Sequence, residues 1–456
     1  IRDSITVGAN STINVSLATD TQALDEVVVV GYGTQKKSVV TGAISSVKAE
    51  DLQSMPINDV GDALQGRTSG VTMAASSGQP GSGSTIRVRG ITSRGNSDPL
   101  WVVDGVVVDN GGINYLNPSD IESMEVLKDA ASQAIYGARA AAGVILVTTK
   151  KGKQGKMSVS YNGYAGLSSP SQKVDLTNAS QYAMLQNEAS VNDGGSIIYS
   201  DPSSLGNGTD WQDEIFNKSA FRQNQEISIS GGNEVSTFYG SFGYLDQEGI
   251  VASDISNYER YNVRLNSTHN ITDWLRVGEN LGYSYEKSVG LGNTNSEFGG
   301  PLSSALNLDP LTPVVITDPN VASQAPYTNT GAVRDANGNP YGVSSLVQQE
   351  MANPLAYIKT REGNYGFSNN IVGNAFLEVE PIAGLKFRSS IGTKMSYWGG
   401  ESFTPIYYLN ASTNTNQTSF NRNTSSKMDY NIENTVIYTK DFENHGFSIL
   451  LGQGAY

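Results

Sequence analysis

The sequence predicts an α+β domain followed by an antiparallel transmembrane β-barrel, and three observations carry that prediction. Near residue 155 the chain changes grammar, from mixed helix-like and strand-like pieces to long runs with a period of two. Those runs extend over about ten or more residues, longer than the roughly five or six of an ordinary soluble strand and suited to a tilted membrane strand. Short and long connectors then alternate along about nine strands, as in barrels with tight turns at one end and long loops at the other.

Composition sets the outer limits. At 456 residues the chain is long enough for two or three domains. A net charge of −14 argues against a nucleic-acid partner, since phosphate binding needs a basic surface. There is no cysteine, so neither a disulfide framework nor a thiolate metal site is expected. His269 and His445 are the only histidines, which leaves little for a histidine-based catalytic or zinc centre. No run of about 18 apolar residues occurs, so no transmembrane helix is expected. Barrel strands escape that test because their alternation keeps hydropathy low. The chain opens at Ile1 with neither an initiator methionine nor a signal peptide, and reads as a processed or truncated product.

In chain order, the first notable stretch is "LDEVVVVGYGTQKK" (24–37). Val27, Val28, Val29 and Val30 favour an extended backbone and resist helix. Flexible polar and glycine-rich chain flanks them, so the strand's unpaired donors and acceptors invite a partner sheet to add it as a new strand. Asp25 and Glu26 at one end, with Lys36 and Lys37 at the other, keep it solvated. The alternative is a structural strand packed on a neighbouring domain. Residues 25–153 form the α+β domain: "STIRVRGI" (84–91) and "PLWVVDGVVVD" (99–109) predict short strands, the second broken by a turn at Asp104-Gly105. Residues 117–153 predict a turn, a helix near 119–134 begun by Asn117 or Ser119 ahead of Asp120 and Glu122, then a strand at 143–149.

Beyond 155 the alternation is explicit. In "KMSVSYNGYAGLS", Met157, Val159 and Tyr161 oppose Ser158, Ser160 and Asn162. In "YNVRLNS", Tyr261, Val263 and Leu265 oppose Asn262, Arg264 and Asn266. "GLKFRSSIGTKMSYW" and "KMDYNIENTVIYTKDF" repeat the pattern, with Leu385, Phe387 and Ile391 against Lys386, Arg388 and Ser390 in the first. Short turns fall at 231–234, 270–273, 380–384 and 441–446; long connectors span 168–220, 247–257, 288–364 and 399–426. Glu279 shares the parity of Leu275, Val277 and Leu281, which implies either a bulge or a position near a membrane interface. About eight strands enclose little more than their own side chains, so the run reads as the front part of a larger barrel.

These pieces together resemble the TonB-dependent outer-membrane transporters, and within them the SusC-like (SusC/RagA) branch. The residues carrying the resemblance are "LDEVVVVGYGTQKK" (24–37), "IRVRGI" (86–91), "PLWVVDGVVV" (99–108) and "NPSDIESMEVLKDAASQAIYGARAAAGVILVTTKKGK" (117–153), with the barrel pattern behind them. The resemblance implies an end of an immunoglobulin-like extension at 1–20, a linker at 21–37, a plug domain at 38–154 and the first part of the barrel at 155–456. The whole barrel would have about 22 strands. It also implies a Ton box at Asp25, Glu26, Val27, Val28, Val29, Val30, Gly31, Tyr32 and Gly33, captured by TonB acting with ExbB and ExbD. The implied function is import of an oligosaccharide or peptide across the outer membrane of a Gram-negative bacterium, with a SusD-like surface lipoprotein as lid. Two rivals remain: a lid-less siderophore or cobalamin receptor, and a soluble glycan-binding β-protein or adhesin.

Arg89 and Arg139 match plug arginines that, in the wider family, pair with carboxylates of the barrel wall. Period-two counting turns Glu226, Glu378 and Glu433 inward, so these five residues are expected to form a charge-assisted plug–barrel lock; pairing within the plug is an equal alternative. The glycine-rich stretches 76–84 and 92–99 lack the strand–GxxxxGK[ST]–helix context of a phosphate loop. As plug loops they would offer Arg94 and Asn96 to substrate. "DANGNP" (335–340) has its glycine at the wrong place for a calcium loop and reads as a turn. No nucleophile–histidine pair, metal cluster or paired carboxylates stand out, so no enzyme activity, metal or cofactor is expected.

Overall fold

The computed structural model describes residues 27–30, 33–36, 44–49, 51, 60–61, 64–75, 77–108, 113–129, 133–290, 300–347, 349–442 and 445–456. Strands β1 (Val27–Val30) and β2 (Gly33–Lys36) form an isolated antiparallel hairpin, Val27 opposite Lys36 and Val30 opposite Gly33. The valine run thus has a backbone partner two residues away. A two-stranded hairpin alone is marginal in stability, so this pairing is easily exchanged.

The N-terminal domain is built on β3 (Ile44–Lys48), β4 (Val71–Ala75), β5 (Ser84–Val88), β6 (Leu100–Val103), β7 (Val106–Val108), β8 (Ile121–Leu127) and β9 (Val144–Thr149). Five of these make one sheet in the order β3-β8-β9-β6-β7, while β4 and β5 pair separately. The helix expected near 119–134 is corrected over 121–127: a short 3₁₀ turn at Pro118–Asp120 precedes β8, Gln133 is helical ahead of a second 3₁₀ turn at Ala134–Ala140, and residues 130–132 lie outside the described residues. Residues 121–127 are instead the strand between β3 and β9, because the sheet buries Ile121, Met124, Val126 and Leu127 on its two faces. Asn117 caps the first turn, its side chain accepting from the Ser119 amide, as the capping signal predicted. Asp104 and Gly105 both have positive φ (48° and 86°), the geometry of the two-residue turn that joins β6 to β7. One buried cluster includes Trp101, Val103, Met124, Val126, Ile145 and Val147 on one face of the sheet; a second, with Val102, Leu127, Val144 and Leu146, covers the other.

The remaining strands are β10 (Gly155–Ser168), β11 (Ala220–Gly232), β12 (Ser236–Glu248), β13 (Asn257–Thr272), β14 (Leu275–Val289), β15 (Tyr365–Ile382), β16 (Leu385–Thr404), the small pair β17 (Tyr407–Tyr408) and β18 (Asn414–Thr415), then β19 (Ser419–Phe442) and β20 (His445–Ala455). Apart from that small pair they form one nine-stranded antiparallel sheet, each strand beside its chain neighbour. The longest, β19, has 24 residues. Outward positions such as Val159, Ile227, Phe242, Leu265, Leu281, Ile391 and Met428 are exposed apolar side chains, as a lipid-facing surface requires. Inward positions such as Asn262, Arg264, Asn266, Asn370 and Asn431 are polar and buried. No described helix is long and apolar enough to cross a membrane. Glu279 keeps its outward parity: it lies opposite Ser267, whose hydroxyl donates to its Oε1 at 2.5 Å, and the register shift occurs nearer the turn, between Asn270 and Thr272.

The long connectors fold over one end. They carry α1 (Ala179–Asn192), α2 (Trp211–Ile215), α3 (Pro301–Asn307), α4 (Pro319–Ala322) and α5 (Pro354–Lys359). Trp211, Ile215, Ala305 and Leu308 form their own small core. Asp309 stitches it: its backbone oxygen accepts from the Trp211 indole at 2.9 Å, and its carboxylate accepts from the Leu311 and Thr312 amides and from the Thr312 and Ser344 hydroxyls. Asp213 stands outside, held down to about 2 by hydrogen bonds from Lys173 and Lys218. The Asp335 carboxylate accepts from the Asn337 and Asn339 amides, so "DANGNP" is a self-capped turn.

Candidate functional site

The functional geometry lies in the seam between the N-terminal domain and the inward face of the sheet. Three strands converge on the two-residue turn Asp104-Gly105: Arg264 of β13 reaches the Asp104 carboxylate at 3.4 Å, Asn374 of β15 donates to the Asp104 backbone oxygen, and Asn431 of β19 donates to Gly105 oxygen at 3.4 Å. Neighbouring strands are about 4.8 Å apart, so strands several steps apart meet one turn only because the sheet wraps around it.

On β11, β12 and β13 the seam is a continuous polar ladder. Glu226 accepts from Asn117 Nδ2 at 2.6 Å, and Asp120 accepts from the Tyr239 and Ser241 hydroxyls at 2.9 and 2.5 Å. Along β13, every second residue reaches the domain. Arg260 donates to Asn114 oxygen at 2.6 Å, Asn262 to Tyr115 oxygen, Arg264 to Thr149 Oγ1 at 3.1 Å, and Asn266 to Lys150 oxygen at 2.6 Å. Arg264 stands between two carboxylates, Asp104 at 3.4 Å and Asp120 at 3.8 Å, with all three side chains no more than 5% exposed. Asp104 is anchored in turn by the Thr149 amide (3.0 Å) and hydroxyl (2.7 Å). Glycines allow the close approach: a Cβ on Gly152 would lie 2.2 Å from the backbone nitrogen of Phe238. Within the domain, burial raises the Glu125 carboxyl to about 7, and burial together with nearby Arg89 lowers Lys128, whose ammonium donates to Ser45 and Ser69.

Of the five residues expected to form an arginine–glutamate lock, Glu226 meets the domain, and through an asparagine. Glu378 pairs with Lys386 (3.2 Å) and Arg388 (3.5 Å) of the adjacent wall strand. Glu433 accepts from the Tyr456 hydroxyl at 2.6 Å, and Arg139 lies 4.4 Å from the centre of the Tyr456 ring. Arg89 is exposed at the end of β5 with φ 57°, and among the described residues no ion pair joins it to these carboxylates. Both arginines sit on exposed turns, whereas the true seam donors stand on a wall strand. Their signal was present in the polar parity of "YNVRLNS", which already turned Asn262, Arg264 and Asn266 inward. Arg94 and Asn96 are exposed, and Asn96 caps a local turn by accepting from the Asp98 amide at 2.8 Å. Of the valine-strand site, Asp25, Glu26, Gly31 and Tyr32 lie outside the described residues; Val27–Val30 and Gly33 belong to the isolated hairpin.

Comparisons with known proteins agree with this architecture. Residues 36–144 match the family model of the TonB-dependent receptor plug domain. A TonB-dependent receptor of Formosa agariphila is 35% identical over 98% of this chain and 43% of its own length. The TonB-dependent receptor SusC of Bacteroides thetaiotaomicron is 34% identical over 96% of this chain and 43% of its own. Among solved structures, the RagAB peptide importer in its open-open state superposes with a TM-score of 0.77 at 27% identity, covering 94% of this chain and 48% of that one. The siderophore receptor PirA from Acinetobacter baumannii shares the fold at a TM-score of 0.51 and 14% identity. The chain therefore spans less than half the length of the curated relatives it matches.

Proposed function

We propose, from the premise that this chain belongs to the SusC-like TonB-dependent receptors, that it is the plug and front wall of an importer. That importer carries a large nutrient across the outer membrane and is not an enzyme. The observation that carries the reading is the plug domain itself, tied by a buried polar ladder to the inward face of a sheet whose outward face is apolar. A pore sealed by a polar plug needs energy from outside the membrane to open. The Val27–Val30 strand supplies the handle: its hairpin with Gly33–Lys36 is small, and a TonB strand can replace β2 by backbone pairing alone. TonB, working with ExbB and ExbD, then pulls the plug.

The cargo is an oligosaccharide or a peptide, and a SusD-like lipoprotein closes the outer side. Similarity to the RagAB peptide importer supports the peptide arm, and similarity to SusC supports the lidded arrangement. The ordered connectors with their own core around Trp211 and Asp309 offer a preformed rim for such a lid.

The test is native purification of the full-length protein in mild detergent, with mass spectrometry of what accompanies it. A stoichiometric lipoprotein with a bound glycan or peptide is expected. A ferric siderophore without a lipoprotein would favour the lid-less receptor, and a protein soluble without detergent would refute the membrane reading.

A further inference from the structure

The plug is held unevenly by the half of the wall described here. Against β11–β13 it is tied by the ladder above, which includes the buried charges of Asp120, Arg260 and Arg264. Bonds to ionised groups are roughly twice as strong as neutral ones. The covalent junction lies on the same side, because β9 ends at Thr149 and β10, the neighbour of β11, begins at Gly155. Against β14, β15, β16 and β19 the polar ties are sparser, and β7 packs on β15, β16 and β19 through apolar side chains. Neutral amides of Asn374 and Asn431 reach backbone oxygens, Val372 packs on the plug core, and the Lys394 ammonium lies 5.8 Å from the Tyr115 ring centre.

Between the plug sheet and that second wall lies a cavity of about 490 Å³. The plug contributes Val102 and Leu146, and the wall contributes Arg276, Glu378, Arg388 and Glu433 with neutral hydrogen-bonding groups such as Asn280 and Thr435. Arg276 and Glu378 face each other across β14 and β15, Arg276 one residue after β14 begins and Glu378 four residues before β15 ends at their short turns, so the cavity sits at the short-turn end. Short turns are the periplasmic side of such barrels.

We infer that the plug stays seated on β11–β13 and parts from the wall at β14, β15, β16 and β19, and that this cavity is the exit subsite for a hydrophilic cargo. The inference rests on the importer reading. A body tethered beside its strongest ties and pulled from its N-terminal strand swings about that edge, and its weakest contacts yield first. The opening begins where space already exists. The lining has charges of both signs and amide and hydroxyl groups, which suits a chain of hydroxyls or peptide groups and disfavours an apolar cargo.

None of these 456 residues is a cysteine, so no native thiol among them competes with an engineered pair. One full-length variant carries Val106→Cys with Gly392→Cys, bridging plug and second wall; a Cβ on Gly392 would lie 2.8 Å from Val106 Cγ2. The other carries Gly81→Cys with Tyr258→Cys, bridging the plug to β13, where a Cβ on Gly81 would lie 2.5 Å from Tyr258 Cγ. Disulfides need Cβ atoms about 3.5–4.5 Å apart, within reach of both pairs. Uptake is read with fluorescent oligosaccharide and oligopeptide pools in cells, before and after reduction. Oxidised V106C/G392C is expected to fall to the level of cells lacking TonB and to recover on reduction, while oxidised G81C/Y258C keeps its uptake. Loss of uptake in oxidised G81C/Y258C, or retention in oxidised V106C/G392C, would overturn the inference. If the unmodified protein takes up neither pool, the importer reading itself fails, which separates the two outcomes.

Discussion

Replacing Arg264 by Met keeps most of the side-chain volume and removes the guanidinium that stands between Asp104 and Asp120. Breaking a buried ion pair by deleting one partner costs about 3–5 kcal/mol, because the remaining charge stays buried without compensation. Here the lower end applies. Asp104 retains the Thr149 amide and hydroxyl, Asp120 retains Tyr239 and Ser241, and the lost contacts are loose at 3.4 and 3.8 Å. A loss of about 3 kcal/mol in the coupling of plug to wall corresponds to roughly 150-fold more frequent opening. Native-state hydrogen exchange of the full-length protein in detergent reads this directly, through the amides of Val144–Thr149 in the plug compared with those of β13 in the wall. Exchange in β9 should accelerate by about two orders of magnitude while β13 amides change little. Lysine should not restore protection, since its single ammonium cannot span both carboxylates and Thr149 as the guanidinium fork does. An unchanged exchange rate in β9, or equal acceleration everywhere, would refute the view that Arg264 fastens plug to wall.

Four further outcomes follow from the same structure. Glu125 is buried with its carboxyl raised to about 7, so the folded plug prefers it protonated; the associated stability is complete below about 4.5 and is lost as pH rises towards 7, on the order of 3 kcal/mol. Plug melting between those pH values should show that slope, and Glu125→Gln should flatten it. Gly143 has φ 102° and its Cβ would meet Val88 at 2.8 Å, so Gly143→Ala should destabilise the plug by at least about 1–3 kcal/mol in the same melts. Asp309→Ala orphans several buried donors at about 1–3 kcal/mol each, and limited proteolysis should then cut the connector between 311 and 347 faster while the strands remain resistant. Val28→Pro removes a backbone donor from β1 and should abolish energised uptake without changing cargo binding at the cell surface.

The wall was the most legible part of the sequence. Period-two alternation in "YNVRLNS" and "GLKFRSSIGTKMSYW" turned Leu265 and Ile391 outward and Arg264 and Lys394 inward, and the structure places them so. The turn at Asp104-Gly105 was legible because two central residues at positive φ demand such a pair. The strand at 121–127 was not, because acidic residues after Asn117 imitate a helix start and the sheet partners that override it, β3 and β9, are distant in sequence. The seam partners were hidden for a related reason. Parity shows which residues face inward but not which plug group each one meets: the ladder's arginines, Arg260 and Arg264, stand on the wall and meet a plug backbone oxygen and plug aspartates, where the sequence suggests plug arginines paired with wall glutamates.

The measurement that tests the central claim most directly is cargo uptake by cells making the full-length protein, with and without TonB and with and without residues 25–33. The account predicts that uptake needs both TonB and that segment, while cargo binding needs neither. Uptake that persists when either is missing would contradict it, and the buried ladder would then be only a structural seam.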